Sequence, residues 1–197
     1  MRDSLLQAAI EGRLTGSNTE NWQFVRVEDI FFVHSSLRIH KENWKNEGIP
    51  FLRGRDLVRL AKTGDPKAEI FISPELYERN KAKGGVPQKG DILISAVGTL
   101  GKVYVVKGTK LFYYKDAYIL CLDNIGKNCS EYIKYVLESP SIQAKIRDGA
   151  MATTVQQLTI KKLKSLIVPL PPFDEQHKIV SRLNELLPLC EVLEKMT

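Results

Sequence analysis

The C-terminal segment of this chain carries an apolar repeat that fits one long helix. Apolar side chains recur there in steps of 4, 3, 4 and 3 residues, at Ile179, Leu183, Leu186, Cys190 and Leu193. Such steps are the seam spacing of a coiled coil. The segment follows the chain-breaking pair Pro171-Pro172, and its first acids, Asp174 and Glu175, suit the positive end of a helix dipole. We therefore predict one helix from Asp174 to about Met196, about 34 Å long, with a kink at Pro188.

A helix of this length constrains the rest of the molecule, because 197 residues suffice for one domain and at most an appended element. Nothing else in the sequence offers a matching seam. We therefore expect a partner helix to bury this one, which makes residues 171–197 a spacer or dimerisation element. A C-terminal helix docked on its own domain is the alternative.

The preceding residues alternate between short helical and strand-like segments. Ser4–Leu14 predicts an amphipathic helix, and with the linker that follows it residues 1–21 form an N-terminal element. Residues 22–170 form the main domain, where Ser73-Pro74-Glu75 predicts the start of a helix over Pro74–Lys81. Ser130 is predicted to cap a second helix. Strands are predicted from β-branched runs at Asp91–Ala96, Lys102–Val106 and Ala117–Leu122. The predicted class is α+β, a mixed α/β domain followed by a long coiled-coil helix.

The positive charge of the chain is concentrated in its middle. The net charge of +6 points to a polyanionic partner, and the excess of Lys and Arg lies between Arg38 and Lys115. Arg53 and Arg55 flank a glycine, so in an extended segment both side chains point from one face and can reach guanine or phosphate. By charge and placement the candidate DNA contacts are Arg53, Arg55, Lys81, Lys83, Lys102 and Lys115. The alternative is that these side chains only keep loops soluble.

Residue patterns for catalysis and metal binding are missing. His34, His40 and His177 stand apart in the sequence, and the 3 cysteines form no CxxC pair, so we predict no metal site. The run from Gly98 to Lys102 lacks the spacing of a nucleotide-binding loop. We predict no catalytic residue, no membrane anchor and a cytoplasmic protein.

Several stretches resemble the DNA specificity subunits of type I restriction-modification systems. Ile49–Leu57 is similar to an early strand of the family's target recognition domain, and Gly90–Val103 to its most recognisable hairpin. Thr153–Ile160 and the string Pro169–Gln176 resemble the passage from that domain to the family's long helix. Ser4–Leu14 resembles a segment that in the family precedes a second recognition domain. A full-length member has two recognition domains and two long helices, so the resemblance implies half of such a subunit.

The resemblance implies a protein that recognises DNA without catalysing a reaction. Expected partners are double-stranded DNA, the modification (methyltransferase) subunit, the restriction subunit, and a second copy or a paralogous half subunit. S-adenosylmethionine, ATP and Mg would then bind only to the partner subunits. A dimer of half subunits would direct them to a bipartite target. The alternative is an orphan half subunit that acts as a decoy without productive DNA modification.

Overall fold

The structure is a computed structural model that describes residues 1–126, 128–148 and 156–196. Its helices are α1 (Arg2–Ile10), α2 (Val27–Ile30), α3 (Gly54–Thr63), α4 (Pro74–Lys81), α5 (Ser130–Glu138), α6 (Pro140–Asp148), α7 (Ile160–Lys164) and α8 (Phe173–Met196). Its strands are β1 (Gln23–Arg26), β2 (Phe32–Ser35), β3 (Ile49–Leu52), β4 (Phe71–Ile72), β5 (Ile92–Ser95), β6 (Val103–Val105), β7 (Tyr113–Tyr114), β8 (Ile119–Asp123) and β9 (Ile167–Leu170). Within these ranges no helix is long and apolar enough to cross a lipid bilayer.

The central sheet has the strand order β2-β8-β5-β6, and every neighbouring pair is antiparallel. Its last three strands confirm the strands predicted from β-branched runs. Because side chains alternate across a strand, Ile94 and Leu122 enter the main apolar cluster on one face. Leu93 and Cys121 enter a second cluster on the other face, together with Tyr114 of β7. The sheet is therefore covered on both sides.

Two smaller sheets flank the central one. β3 lies between β4 and β7, antiparallel to the first and parallel to the second, with Leu52 opposite Tyr114. β1 and β9 form an antiparallel pair that places Val25 opposite Val168. The mixture of helices and sheets confirms the predicted fold class in its coarse form. The division at residues 21 and 170 stays a prediction, since α1 and α8 contribute to the same apolar cluster as the central sheet.

The start of α4 follows the local prediction. The Ser73 hydroxyl accepts a hydrogen bond from the Leu76 backbone N–H at 3.3 Å, and Pro74 occupies the first turn. Helix α1 is shorter than predicted because Gly12, with φ of +74°, takes the chain out of the helical conformation. Part of the Thr153–Ile160 stretch lies outside the described residues. Cys129 and not Ser130 is the N-cap of α5, because the Ser130 hydroxyl donates to the Gly90 carbonyl and Ser130 is the first helical residue; the helix ends at Glu138.

Helix α8 is continuous through Pro188 and packs on its own chain. Ile179 and Leu183 are 0% exposed and share the main apolar cluster with residues of α1 and α5. Farther along the helix, the Tyr135 hydroxyl of α5 donates to Asn184 Oδ1 at 2.7 Å. Cys190 is 5% exposed. The first part of α8 therefore belongs to the folded core of this chain.

This packing corrects the expectation that the seam has nothing in its own chain to fill it. Leu6, Ala9 and Ile10 of α1 lie in the cluster that buries Ile179 and Leu183. The apolar spacing within Ser4–Leu14 predicts a helix but gives no indication that this helix packs against α8. Of the five predicted seam residues, Leu186 is half-buried and Leu193 is 49% exposed. The role of α8 as a dimerisation helix stays a prediction.

Candidate nucleic-acid interface

Two of the predicted basic residues leave neighbouring strands at the same edge. β3 and β7 are parallel, and the Lys115 backbone N–H donates to the Leu52 carbonyl at 2.8 Å. Arg53 directly follows β3 and Lys115 directly follows β7. Because the carboxyl ends of parallel strands share one edge of a sheet, the backbones of these two residues lie next to each other. They are 62 residues apart in the sequence, from 53 to 115.

Arg53 is held at the start of α3 by a buried carboxylate. Asp56, which is 0% exposed, accepts hydrogen bonds from the Arg53 backbone N–H and from Arg53 Nε, both at 2.9 Å. The hydrogen bond to Asp56 raises the pKa of Arg53 above its ordinary value. The expectation of an extended segment around Gly54 is therefore wrong. Asp56, at the third position of the helix, accepts a hydrogen bond from the Arg53 backbone N–H, which the helix itself leaves without an acceptor. This stabilises a helix that begins at Gly54.

Arg55 nevertheless reaches the same side as Arg53. Both guanidinium groups donate to Glu69 Oε2, at 2.9 Å from Arg53 and at shorter distance from Arg55. The hydrogen bond from Arg53 and the charge of Arg55 lower the pKa of Glu69 below its ordinary value. The Arg55 and Glu69 side chains are 55% and 59% exposed. A phosphate that binds Arg55 must therefore compete with an exposed carboxylate.

Lys115 lies between two aromatic rings. Its Nζ is 4.7 Å from the centre of the Tyr118 ring and 5.7 Å from the Trp44 ring. Lys41 Nζ approaches Trp44 as well, at 6.0 Å. These distances are within the range of cation–π attraction, which orients the ammonium groups without neutralising them. We call the whole surface the basic edge: Lys41, Trp44, Arg53, Arg55, Lys115 and Tyr118.

A groove of about 500 Å³, with a mostly apolar lining and a few polar side chains, adjoins the basic edge. It begins beside Lys115, at Asp116 and Ala117, and its far wall carries Gln157 and Lys161. The Ala117 backbone N–H donates to the Ser35 hydroxyl at 3.0 Å, which ties the groove to the end of β2. Amide, hydroxyl and ammonium groups of this kind hydrogen-bond to the edges of base pairs.

The other three predicted DNA contacts lie elsewhere. Lys81 ends α4 and pairs with Glu78 at 3.3 Å, and Lys83 is exposed in the loop that follows. Lys102 lines a hollow that also contains Arg147 and Glu138. The described hydrogen bonds and ion pairs link none of the three to the basic edge. The predictions from the sequence did not include Lys41, Trp44 and Tyr118 of this surface or Gln157 of the groove. Most of these residues are far from Lys115 in the sequence, so no local spacing indicates them.

Comparison with known proteins identifies the family. The sequence profile described as "Type I restriction modification DNA specificity domain" matches residues 19–196. The chain belongs to this family. A Haemophilus influenzae protein that carries the name of a type I restriction enzyme specificity subunit is 33% identical over 165 residues, which is 82% of this chain and 39% of that protein. The specificity subunit of the Escherichia coli type I restriction enzyme EcoBI is 25% identical over 98% of this chain and 44% of its own length.

Solved structures of the specificity family share the fold. The crystal structure of the HsdS subunit from Thermoanaerobacter tengcongensis matches with a TM-score of 0.68 and 20% identity, over 100% of this chain and 46% of that one. This chain therefore spans less than half the length of these specificity subunits. The relatives are named as specificity subunits of restriction enzymes and not as catalytic subunits. The resemblance to type I restriction-modification specificity subunits is thereby confirmed.

Proposed function

We propose that this chain is a sequence-specific DNA-binding specificity subunit of a type I restriction-modification system, with one target recognition domain. The observation that carries the proposal is the family match over residues 19–196, which includes the basic edge and its groove. The chain would select the DNA site and would not catalyse a reaction. Methyl transfer and cleavage would belong to modification and restriction subunits in the cytoplasm, which would bind S-adenosylmethionine, ATP and Mg.

The basic edge is the surface that we assign to DNA. Arg55 and Lys115 present charge to a phosphate backbone, whereas Arg53 is fixed by Asp56 and positions the start of α3. The adjoining groove offers Gln157 and Lys161 for contact with base edges. Phosphate contacts would supply affinity and register, and groove contacts would supply sequence preference. Lys81, Lys83 and Lys102 would then contribute at most long-range attraction.

The end of α8 is the surface that we assign to a second half. Leu189 and Val192 are 58% and 55% exposed, although both are large apolar side chains on a helix. They lie three residues apart and so share one face of the helix. A second copy of α8, or the long helix of a paralogous half, would bury this face and hold two recognition domains at a fixed spacing. The combined target would be bipartite.

DNA binding is tested by removing single charges. The purified chain, with its modification subunit, is titrated with DNA carrying the methylated site of the host system at several salt concentrations. We expect Arg55→Gln and Lys115→Gln to weaken binding and to reduce the salt slope by about 0.9 for each phosphate group that is no longer neutralised. Lys178→Gln is the matched control, because its side chain is 71% exposed on α8. If Arg55→Gln and Lys115→Gln bind DNA as tightly as Lys178→Gln and the unaltered chain do, the assignment of the basic edge is refuted.

The role in modification is tested on the host genome. Single-molecule sequencing compares methylated sites with this gene present and deleted. Loss of a split motif on deletion is the expected result, and a palindromic motif supports two identical halves. An unchanged pattern of methylation would refute a productive specificity role and leave the decoy as the better account.

A further inference from the structure

A histidine, a cysteine and an aspartate converge on one face of the central sheet. β2 and β8 are antiparallel with His34 directly opposite Cys121, so both side chains project from the same face. Asp123 lies two residues beyond Cys121 and therefore on that face as well. The His34 ring nitrogen, the Cys121 sulfur and an Asp123 oxygen all lie within 4.8 Å of one another. His34 and Asp123 are 89 residues apart in the sequence.

Two of the three distances between these atoms can be compared directly with those of a tetrahedral metal centre. His34 Nε2 is 2.8 Å from Asp123 Oδ1, and Cys121 Sγ is 3.3 Å from the same oxygen. Bonds of about 2.0 Å to nitrogen and oxygen and about 2.3 Å to sulfur place tetrahedral ligand atoms roughly 3.3–3.5 Å apart. The sulfur–oxygen pair already has this separation. The nitrogen–oxygen pair has to open by about 0.5 Å.

The groups around the three side chains suit a bound cation. The His34 ring is fixed by a hydrogen bond from Nδ1 to the Ser35 carbonyl at 3.1 Å and by stacking of Phe32, which leaves Nε2 as the ligand atom. Asp91 adds a buried carboxyl group, which is 6% exposed. Its electrostatic interactions reach both His34 and Cys121.

A second observation points to a thiolate at this position. The Tyr114 hydroxyl is buried in the same cluster as Cys121 and interacts with the Cys121 side chain, although no geometrically complete hydrogen bond to this hydroxyl is present among the described residues. A neutral thiol is a weak acceptor, whereas a metal-bound thiolate accepts strongly. Tyr114 would then supply the outer-shell hydrogen bond that is usual around a metal ligand.

We propose that His34, Cys121 and Asp123 form a zinc site. A nitrogen, a sulfur and an oxygen ligand are the donor set that Zn²⁺ prefers, and three protein ligands leave its fourth position to water. The His34 and Asp123 side chains are 17% and 35% exposed, so solvent can reach that position, while Cys121 closes the site from within. On binding, the thiol proton of Cys121 and the proton between Nε2 and Asp123 pass to solvent. Bound zinc would tie β2 to β8.

The test is a metal titration of the full chain, without an affinity tag and stripped of metal. Calorimetry with Zn²⁺ is expected to show one ion per chain and a rise in the thermal midpoint. Co²⁺ is expected to give the thiolate-to-cobalt absorption band. Cys121→Ser and His34→Gln should weaken binding by at least about a hundredfold, and Tyr114→Phe by about 10- to 100-fold.

Two substitutions serve as matched controls. Cys129→Ser and His177→Gln remove the same side-chain types outside the cluster, and both should bind Zn²⁺ as the unaltered chain does. No binding by the unaltered chain would overturn the proposal, and so would equal binding by His34→Gln and Cys121→Ser. If Cys121→Ser fails to fold, which circular dichroism detects, the cobalt band and the His34→Gln result decide the question.

Discussion

Replacing Leu183 by alanine tests whether α8 is a structural part of this chain. Leu183 is 0% exposed and belongs to the cluster formed by α1, α5 and the central sheet. Truncation of a buried leucine to alanine loses the transfer free energy of the removed carbons and leaves a cavity, for a total of about 2–5 kcal/mol. The side chains of this cluster come from several different elements, so the site cannot collapse by moving one of them. We therefore expect a loss in the upper half of that range.

Leu111→Ala is the control for the same chemical change at an exposed position outside the proposed interface. Leu111 is 58% exposed, and its truncation should alter the free energy of unfolding by no more than about 0.5 kcal/mol. Urea unfolding measures both variants by circular dichroism and by the fluorescence of Trp22, which is buried in the same cluster as Leu183. The urea dependence (m-value) should stay constant, since neither change alters the surface exposed on unfolding by much.

Measurements at two protein concentrations separate packing within the chain from packing between chains. If the lost contacts lie within one chain, the loss in free energy of unfolding does not depend on protein concentration. If they lie between two chains, it does. Light scattering gives the mass of each variant under the same conditions. A Leu183→Ala variant that unfolds like the unaltered chain and has half its mass would refute the assignment of Leu183 to the core. That result would place Leu183 in an interface between subunits.

Two further substitutions test the basic edge. Asp56→Ala removes the acceptor of the Arg53 backbone N–H and of Arg53 Nε while Glu69 still pairs with Arg53, and we expect a loss of about 1.5–3 kcal/mol in urea unfolding; a loss below about 0.5 kcal/mol would show that Asp56 does not hold the start of α3. Glu69→Gln removes the exposed carboxylate that binds Arg53 and Arg55, so DNA affinity should rise and its salt slope should become steeper. Weaker DNA binding by Glu69→Gln in a titration would contradict the competition that we infer.

Elements with a strong local signal were predictable from the sequence. β5 and β6 are β-branched runs separated by Gly98 and Gly101, and both glycines have positive φ values, +77° and +73°. Helix α4 begins at a serine followed by proline and glutamate, and each of these residue types stabilises that position for its own reason. In such segments, neighbouring residues in the sequence determine the local conformation.

The start of α3 shows why the sequence around Arg53 and Arg55 suggests an extended segment although the chain is helical there. The apolar run of β3 ends directly at Arg53, so the residues before it suggest a continuing strand. The deciding group is Asp56, which lies after the pair and becomes fully buried only when the chain turns helical. An acid at the third helical position was a readable signal for a helix start. Both arginines do lie on one side, as expected, but they do so because both donate to Glu69 and not because the segment is extended.

The zinc ligands could not be predicted from the sequence because strand pairing alone brings them together. No local spacing relates position 34 to positions 121 and 123, and the register of β2 on β8 decides which side chains face each other. A shift of that register by one residue would turn His34 to the opposite face of the sheet. A metal site of this kind follows from tertiary structure, whereas a CxxC motif follows from sequence.

The repeat in α8 illustrates a related limit. A spacing of 4 and 3 residues shows that one stripe of the helix is buried, but it carries no information about which helix does the burying. Here α1 covers the stripe at Ile179 and Leu183, and the face at Leu189 and Val192 stays exposed. Since a second subunit can only use a face that its own chain leaves open, contact with another long helix would involve Leu189 and Val192. One face of the helix would then belong to the core of its own domain, and the face at Leu189 and Val192 would belong to the assembly.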